Sequence, residues 1–119
     1  MDLKILRRQL EAGDLDVKEI MGCLLQLNDL EIKAYQALCE GPLTVAKASS
    51  KLKKSRPTTQ RVLSSLVAKG LAIRRVAPLK KGGYVYIYHA ISKEQLRELL
   101  LVRLNHWYSK IVDVISKIC

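Results

Sequence analysis

The sequence predicts a mainly α-helical protein with one small β-hairpin, an α+β arrangement, and three observations carry that prediction. Apolar residues recur at three- and four-residue intervals through residues 3–69 and again through 96–118, the spacing of a single helix face. Between these stretches, LAIRRV (71–76) and YVYIYHAI (84–91) turn to β-branched and aromatic residues, with APLKKGG between them as a hairpin connection. Charge, finally, is segregated. From Gly41 to Lys93 there is no aspartate or glutamate, yet there are twelve lysines and arginines; elsewhere nine bases face eleven acids. The net charge of +10 therefore belongs to one contiguous stretch. Such a field favours a polyanion, either nucleic acid or an anionic membrane.

Residues 3–12 (LKILRRQLEA) place Leu3, Leu6 and Leu10 at helical spacing, and Gly13 interrupts. A second helix follows Asp14 or Asp16, either of which suits a cap, with Ile20, Leu24 and Leu27 on one face. Asn28 opens a third, NDLEIKAYQALCE, whose apolar side is Leu30, Ala34, Tyr35 and Leu38, and Gly41-Pro42 ends it. Thr44 caps a short helix to about Leu52. Lys53-Lys54-Ser55 forms a turn, and the next helix carries Thr59, Val62, Leu63 and Leu66 to Lys69-Gly70, where a glycine can close it in a left-handed conformation. After the hairpin, Ser92 and Gln95 form a capping box for a helix of about 25 residues. Its apolar positions Leu96, Leu100, Leu104, Trp107, Ile111, Val114 and Ile118 are spaced 4-4-3-4-3-4.

At 119 residues the chain is expected to be a single domain spanning 1–119. It comprises an N-terminal helical segment (1–27), a central module (28–91) and a C-terminal helix (92–119). No apolar run approaches the ~20 residues that span a bilayer, and the polar N-terminus argues against a signal peptide and export. Cys23, Cys39 and Cys119 are odd in number, without C-x-x-C spacing, and read as reduced thiols of a cytoplasmic protein.

Helix, helix, turn, helix and hairpin is the order of a winged helix-turn-helix. Its short turn sets the second helix across the first, so that the N-terminal end of the second can enter a major groove. At LTVAKASSKLKKSRPTTQRVLSSLVAKGLAIRR, residues 43–75, the chain resembles prokaryotic and archaeal transcription regulators of the MarR and TrmB type. Upstream, LEIKAYQALCEGPLT is similar to the first helix of TrmB-like proteins, including Glu31, Tyr35, Leu38 and Gly41-Pro42. Downstream, the long helix with Trp107-Tyr108 looks like the one through which small archaeal regulators dimerise. The resemblance covers about residues 28–118. It departs from the family pattern at four positions: a glycine is usual at Lys53, an apolar residue at Lys54, an aliphatic residue at Ala48 and valine at Thr59.

The resulting expectation is a homodimeric, sequence-specific regulator of transcription that binds double-stranded DNA, located in the cytoplasm at the nucleoid. Helix 57–69 would read the major groove. Arg56, Thr58, Gln60 and Arg61 are the residue types that pair with base edges, while Thr44, Lys47, Lys53, Lys54, Ser55 and Pro57 complete the expected DNA contacts, the lysines as phosphate anchors. Arg74, Arg75, Lys80 and Lys81 of a basic wing at 74–84 would grip the backbone or the minor groove. Tyr84, Tyr86 and Tyr88 share a strand face, which suits either stacking of unpaired bases or, more commonly, core and cross-strand packing. The stripe Leu96, Leu100, Leu104, Trp107, Ile111, Val114 and Ile118 exceeds what a small module can cover and predicts dimerisation. No paired carboxylates, phosphate-cradling glycine loop, nucleophile elbow or metal spacing is present, so neither an enzyme nor a cofactor is expected. A weakly specific architectural protein that coats DNA, and a winged-helix interaction module of a larger complex, are the alternatives. An effector is not indicated.

Overall fold

In the computed structural model, which describes residues 3–13 and 16–118, short polar side chains cap the starts of four of the helices, and left-handed residues follow several of the helix ends. The chain divides into two compact units, Leu27–Ser92 and the combination of Met1–Gln26 with Lys93–Cys119.

In the combined unit, α1 (Leu3–Ala12) ends at Gly13, and α2 (Val17–Leu24) is capped by Asp16, whose carboxylate accepts the Glu19 N–H at 3.1 Å. Asp14, the other candidate cap, lies outside the described residues, as do the side chains of Leu3 and Leu6. Leu27 does not share a face with Ile20 and Leu24. Helix α2 stops at Leu24, with Leu25 as its cap and Gln26 at φ 57°, so Leu27 falls past the helix and into the other unit. The long helix α6 (Lys93–Ser116) pairs with α2, and Val17, Ile20 and Leu24 face Leu96, Leu100, Leu101 and Leu104 across a groove of about 580 Å³. Ile118 is not part of this helix. Hydrogen bonds from Lys117 to Val114 and from Ile118 to Ile115 tighten the last turn to three-residue spacing and end it, leaving Ile118 exposed.

The unit Leu27–Ser92 builds the module that positions the site. In α3 (Asp29–Glu40), Asn28 accepts the Glu31 N–H at 2.8 Å while the Glu31 carboxylate accepts the Asn28 N–H at 3.0 Å, a complete capping box. Thr44 caps α4 (Val45–Leu52), and Ser55 caps α5 (Arg56–Ala68), where Pro57 occupies the first turn and its missing N–H forfeits nothing. Gly70, at φ 82°, turns the chain out of α5 into the hairpin.

Strand β1 (Ala72–Pro78) runs antiparallel to β2 (Tyr84–Ala90), with Ala72 opposite Ala90 and Pro78 opposite Tyr84. Leu43, just before α4, exchanges two backbone hydrogen bonds with Tyr88, of 3.1 and 2.8 Å. The core lies between α3, α4, α5 and the hairpin base and is built from Ala34, Tyr35, Leu38, Ala48, Leu63, Leu66, Leu71 and Tyr88. Each buried leucine side chain contributes about 1.5–3 kcal/mol. Thr59, where the related pattern has valine, is fully buried and donates its hydroxyl to the Ser55 carbonyl at 2.9 Å, so the extra polar group is satisfied within its own helix.

Candidate nucleic-acid interface

Helix α5 divides cleanly. Thr59, Val62, Leu63 and Leu66 are buried, while Pro57, Gln60, Arg61 and Ser64 recur at three- and four-residue intervals on the exposed side, with Arg56 at its N-terminal end. Twelve of the fourteen expected contact residues are exposed; Thr44 and Thr58 are half-buried because they serve the caps. Ser64 extends the exposed face and had one detectable signal, its four-residue spacing from Gln60.

The turn before α5 carries the clearest local cost. Lys53 sits at φ 56°, ψ 44°, the left-handed region, and closes α4 by donating its N–H to Ser49. Lys54 donates to the same carbonyl at 3.2 Å, and the Ser49 hydroxyl reaches the Lys54 carbonyl. Glycine adopts this conformation without a Cβ penalty, whereas lysine carries one of about 1–2 kcal/mol. What lysine adds is charge, held at the entrance to α5.

Cations in the acid-free stretch fall into two sets. Lys51 pairs with Glu40 at 3.0 Å, and Lys69 pairs with Glu31 at 2.9 Å. Among the described residues, Lys47, Lys53, Lys54, Arg56, Arg61, Arg74, Arg75, Lys80, Lys81 and Lys93 have no carboxylate partner. Glu31 is 4% exposed and also accepts from the Ser65 hydroxyl at 2.6 Å, tying the start of α3 to the end of α5. Burial alone would raise its carboxyl pKa, but hydrogen bonds from Ser65, Asn28 and Lys69, with the ammonium charge, bring the balance below the ordinary value.

Gln60 is less free than its type suggests. Its amide nitrogen donates to the Tyr88 hydroxyl at 3.0 Å and to Ser64 at 3.2 Å, which links the exposed face of α5 to the base of the hairpin. Along the hairpin, Arg74 lies on the tyrosine side, its guanidinium carbon 4.3 Å from the Tyr86 ring centroid, whereas Arg75 points to the other face. Lys80 and Lys81 occupy the tip, where Leu79 donates to Gly83 at 3.0 Å and Gly82 donates to Leu79 at 3.1 Å.

On the other unit, the expected stripe separates by depth. Leu96, Leu100 and Trp107 are half-buried, while Leu104, Ile111 and Val114 are exposed, together with Leu101, Val102, Tyr108, Val112 and Ile115. The sequence stripe missed this second set, because residues off a single seam are normally polar. Cys23 and Cys39 are free thiols, and Cys119 lies outside the described residues. Among the described residues there is no cluster able to hold a metal ion and no helix long and apolar enough to cross a membrane.

Three helices with a capped, exposed helix α5 beside a basic hairpin define a winged helix-turn-helix protein, the class of DNA-binding transcription regulators. The chain belongs to the TrmB family, described as sugar-specific transcriptional regulators, whose model matches residues 24–94. It is 32% identical over 96 residues to the uncharacterized protein MJ1082 of Methanocaldococcus jannaschii, covering 80% of this chain and 79% of that one. Its fold is similar to that of a possible transcriptional regulator from Methanosarcina mazei Go1, with a TM-score of 0.79, 24% identity and coverage of 87% and 89% of the two chains. It is also similar to TrmBL2, an archaeal chromatin protein with a novel mode of DNA binding, with a TM-score of 0.59 and 27% identity. That likeness spans 82% of this chain but 34% of TrmBL2.

Proposed function

We propose that this protein is a homodimeric, sequence-specific regulator that places the exposed face of α5 in the major groove of duplex DNA, acting in the cytoplasm at the nucleoid. The observation that carries the reading is the set of cations without carboxylate partners, which runs from Lys47 through Lys53, Lys54 and Arg56 to Arg61. Arg56 and Arg61 would read base edges, and the lysines, with Thr44 and Ser55 at helix N-termini, would hold phosphates. Thr58 and Gln60, committed to Ser55 and Tyr88, would orient the helix and meet DNA through their remaining acceptors. Arg75, Lys80 and Lys81 would grip the backbone. Dimerisation rests on α6, where Leu104, Ile111 and Val114 are each at least half exposed and need a partner surface.

The likeness to TrmBL2 gives a second reading, an architectural protein with weak sequence preference. Genome-wide footprinting separates the two, because discrete sites support a regulator and continuous coverage supports the architectural role. Arg61→Ala tests the recognition helix directly. It is expected to cost about 1–3 kcal/mol on a selected site and much less on a scrambled duplex. Equal losses on both would reduce Arg61 to a backbone anchor.

A further inference from the structure

We propose that the tyrosine face of the hairpin is a stacking platform for unpaired bases, so that the protein also binds single-stranded DNA through Tyr84 and the Arg74–Tyr86 pair. The strand register puts Tyr84, Tyr86 and Tyr88 on one face, opposite Pro78, Val76 and Arg74. Burial then divides the ladder, with Tyr88 fully buried, Tyr86 36% exposed and Tyr84 63% exposed. Core packing accounts for Tyr88 and leaves the other two rings unexplained, since valine or threonine would hold an exposed strand position equally well.

The two outer rings meet edge to face. Their centroids are 5.9 Å apart with planes at 65°, and the Arg74 guanidinium lies over the Tyr86 ring. Aromatic faces and guanidinium planes are the surfaces on which unstacked bases settle, whatever the base. Val76 and Leu79, 60% and 51% exposed, extend the apolar area toward the tip. Lys80 and Lys81 stand at its end, in a stretch of chain without a single acid, and supply positive charge for a phosphate backbone laid along β2.

This chemistry selects the occupant. In an intact duplex the base faces are already stacked on each other, and the wing could meet only edges and phosphates, for which lysines suffice. Two ring faces and a guanidinium plane are of use where bases are unpaired, as in a melted or gapped segment. The exposed rings Tyr84 and Tyr86 belong to β2 and not to α5, so the platform can fail without touching the duplex reading.

The test compares labelled oligodeoxythymidine with a blunt duplex by fluorescence anisotropy. Tyr84→Val keeps a strand-forming residue but removes the ring, and is expected to weaken the oligodeoxythymidine complex about 5- to 100-fold while leaving duplex binding unchanged. Tyr84→Phe should bind both as the parent does. Arg74→Lys keeps the charge and loses the plane, so it should weaken the single-strand complex more than the duplex. A 2-aminopurine in the strand should be quenched by the parent and by Tyr84→Phe, and not by Tyr84→Val. The proposal is overturned if the parent does not bind the single strand, or if Tyr84→Val weakens both nucleic acids equally. Preference for oligouridine over oligodeoxythymidine would overturn it too, by assigning the platform to RNA.

Discussion

Replacing Lys53 with glycine should make the protein more stable and a weaker DNA binder at once, because one residue carries both effects. Lys53 closes α4 at φ 56°, ψ 44°, with its side chain exposed, so glycine removes a Cβ clash and breaks no described side-chain contact. The relief is about 1–2 kcal/mol, set against roughly 0.5–1 kcal/mol of added unfolded-chain entropy. The difference spans about 0–1.5 kcal/mol with a midpoint of about 0.75 kcal/mol, and in a module of this size the midpoint raises Tm by about 3–6 °C. The same change deletes one cation at the entrance to α5. The slope of log affinity against log salt should therefore shrink by about 0.9, the value of one phosphate contact. Thermal melts and a salt titration on one sample measure both quantities. Lys53→Asn serves as a control, since asparagine tolerates the left-handed region yet also lacks the charge. A Lys53→Gly protein that melts at or below the parent would refute the strain argument, and an unchanged salt slope would remove Lys53 from the interface.

Other perturbations follow from the same structure. Glu31→Gln preserves the cap of α3, since glutamine can accept the Asn28 N–H, but loses the charge facing Lys69, and should cost about 1 kcal/mol at neutral pH by denaturant titration. Because the folded protein holds the Glu31 carboxyl below its ordinary value of 4.5, the native state binds fewer protons than the unfolded chain. Its contribution is complete above about that value and lost as pH falls through the folded one, so Glu31→Gln should flatten part of the acid limb of the stability curve. Ile111→Asp would bury a charge in the proposed dimer contact; sedimentation should show monomers, and DNA affinity should fall sharply as linked half-sites separate. A monomer that binds as tightly as the parent would exclude α6 as the contact. Alanine at both Lys80 and Lys81 should weaken all duplex sequences about equally and reduce the salt slope by up to about 1.8, and an unchanged slope would take the tip out of the interface.

What the sequence made legible was local. Asn28, Thr44, Ser55 and Gly70 are residues whose own chemistry marks a helix end, and each stands at the end it marks. The hairpin followed from a change of period, and the field over residues 41–93 needed only counting. The features that escaped join distant parts of the chain. Nothing in NDLEIKAYQ says that Glu31 is met by Ser65 and Lys69, more than thirty residues away. Nor does an even tyrosine ladder disclose that Tyr88 is buried, with Gln60 of α5 reaching its hydroxyl, while Tyr84 and Tyr86 are exposed. Leu27 and Ile118 fitted their apolar patterns and still fell outside their helices, because a periodic pattern does not encode where the last turn tightens.

The paired bonds between Leu43 and Tyr88 bear on how this module opens. Tyr88 is held by its backbone to Leu43 and by its hydroxyl to Gln60, and nearby the Ile91 amide bonds to Leu71 while its carbonyl accepts from Tyr35. The wing base cannot let go of its partners without disturbing α3, α5 and the approach to α4 together. Its amides should exchange with solvent only when the whole module unfolds. Toward the tip, where the strands have one neighbour each and water on both faces, exchange should be fast and the hairpin should fray on its own. The wing is thus graded from a clamped root to a yielding end. It can adjust its lysines to an irregular backbone while the angle at which it leaves the recognition helix stays fixed.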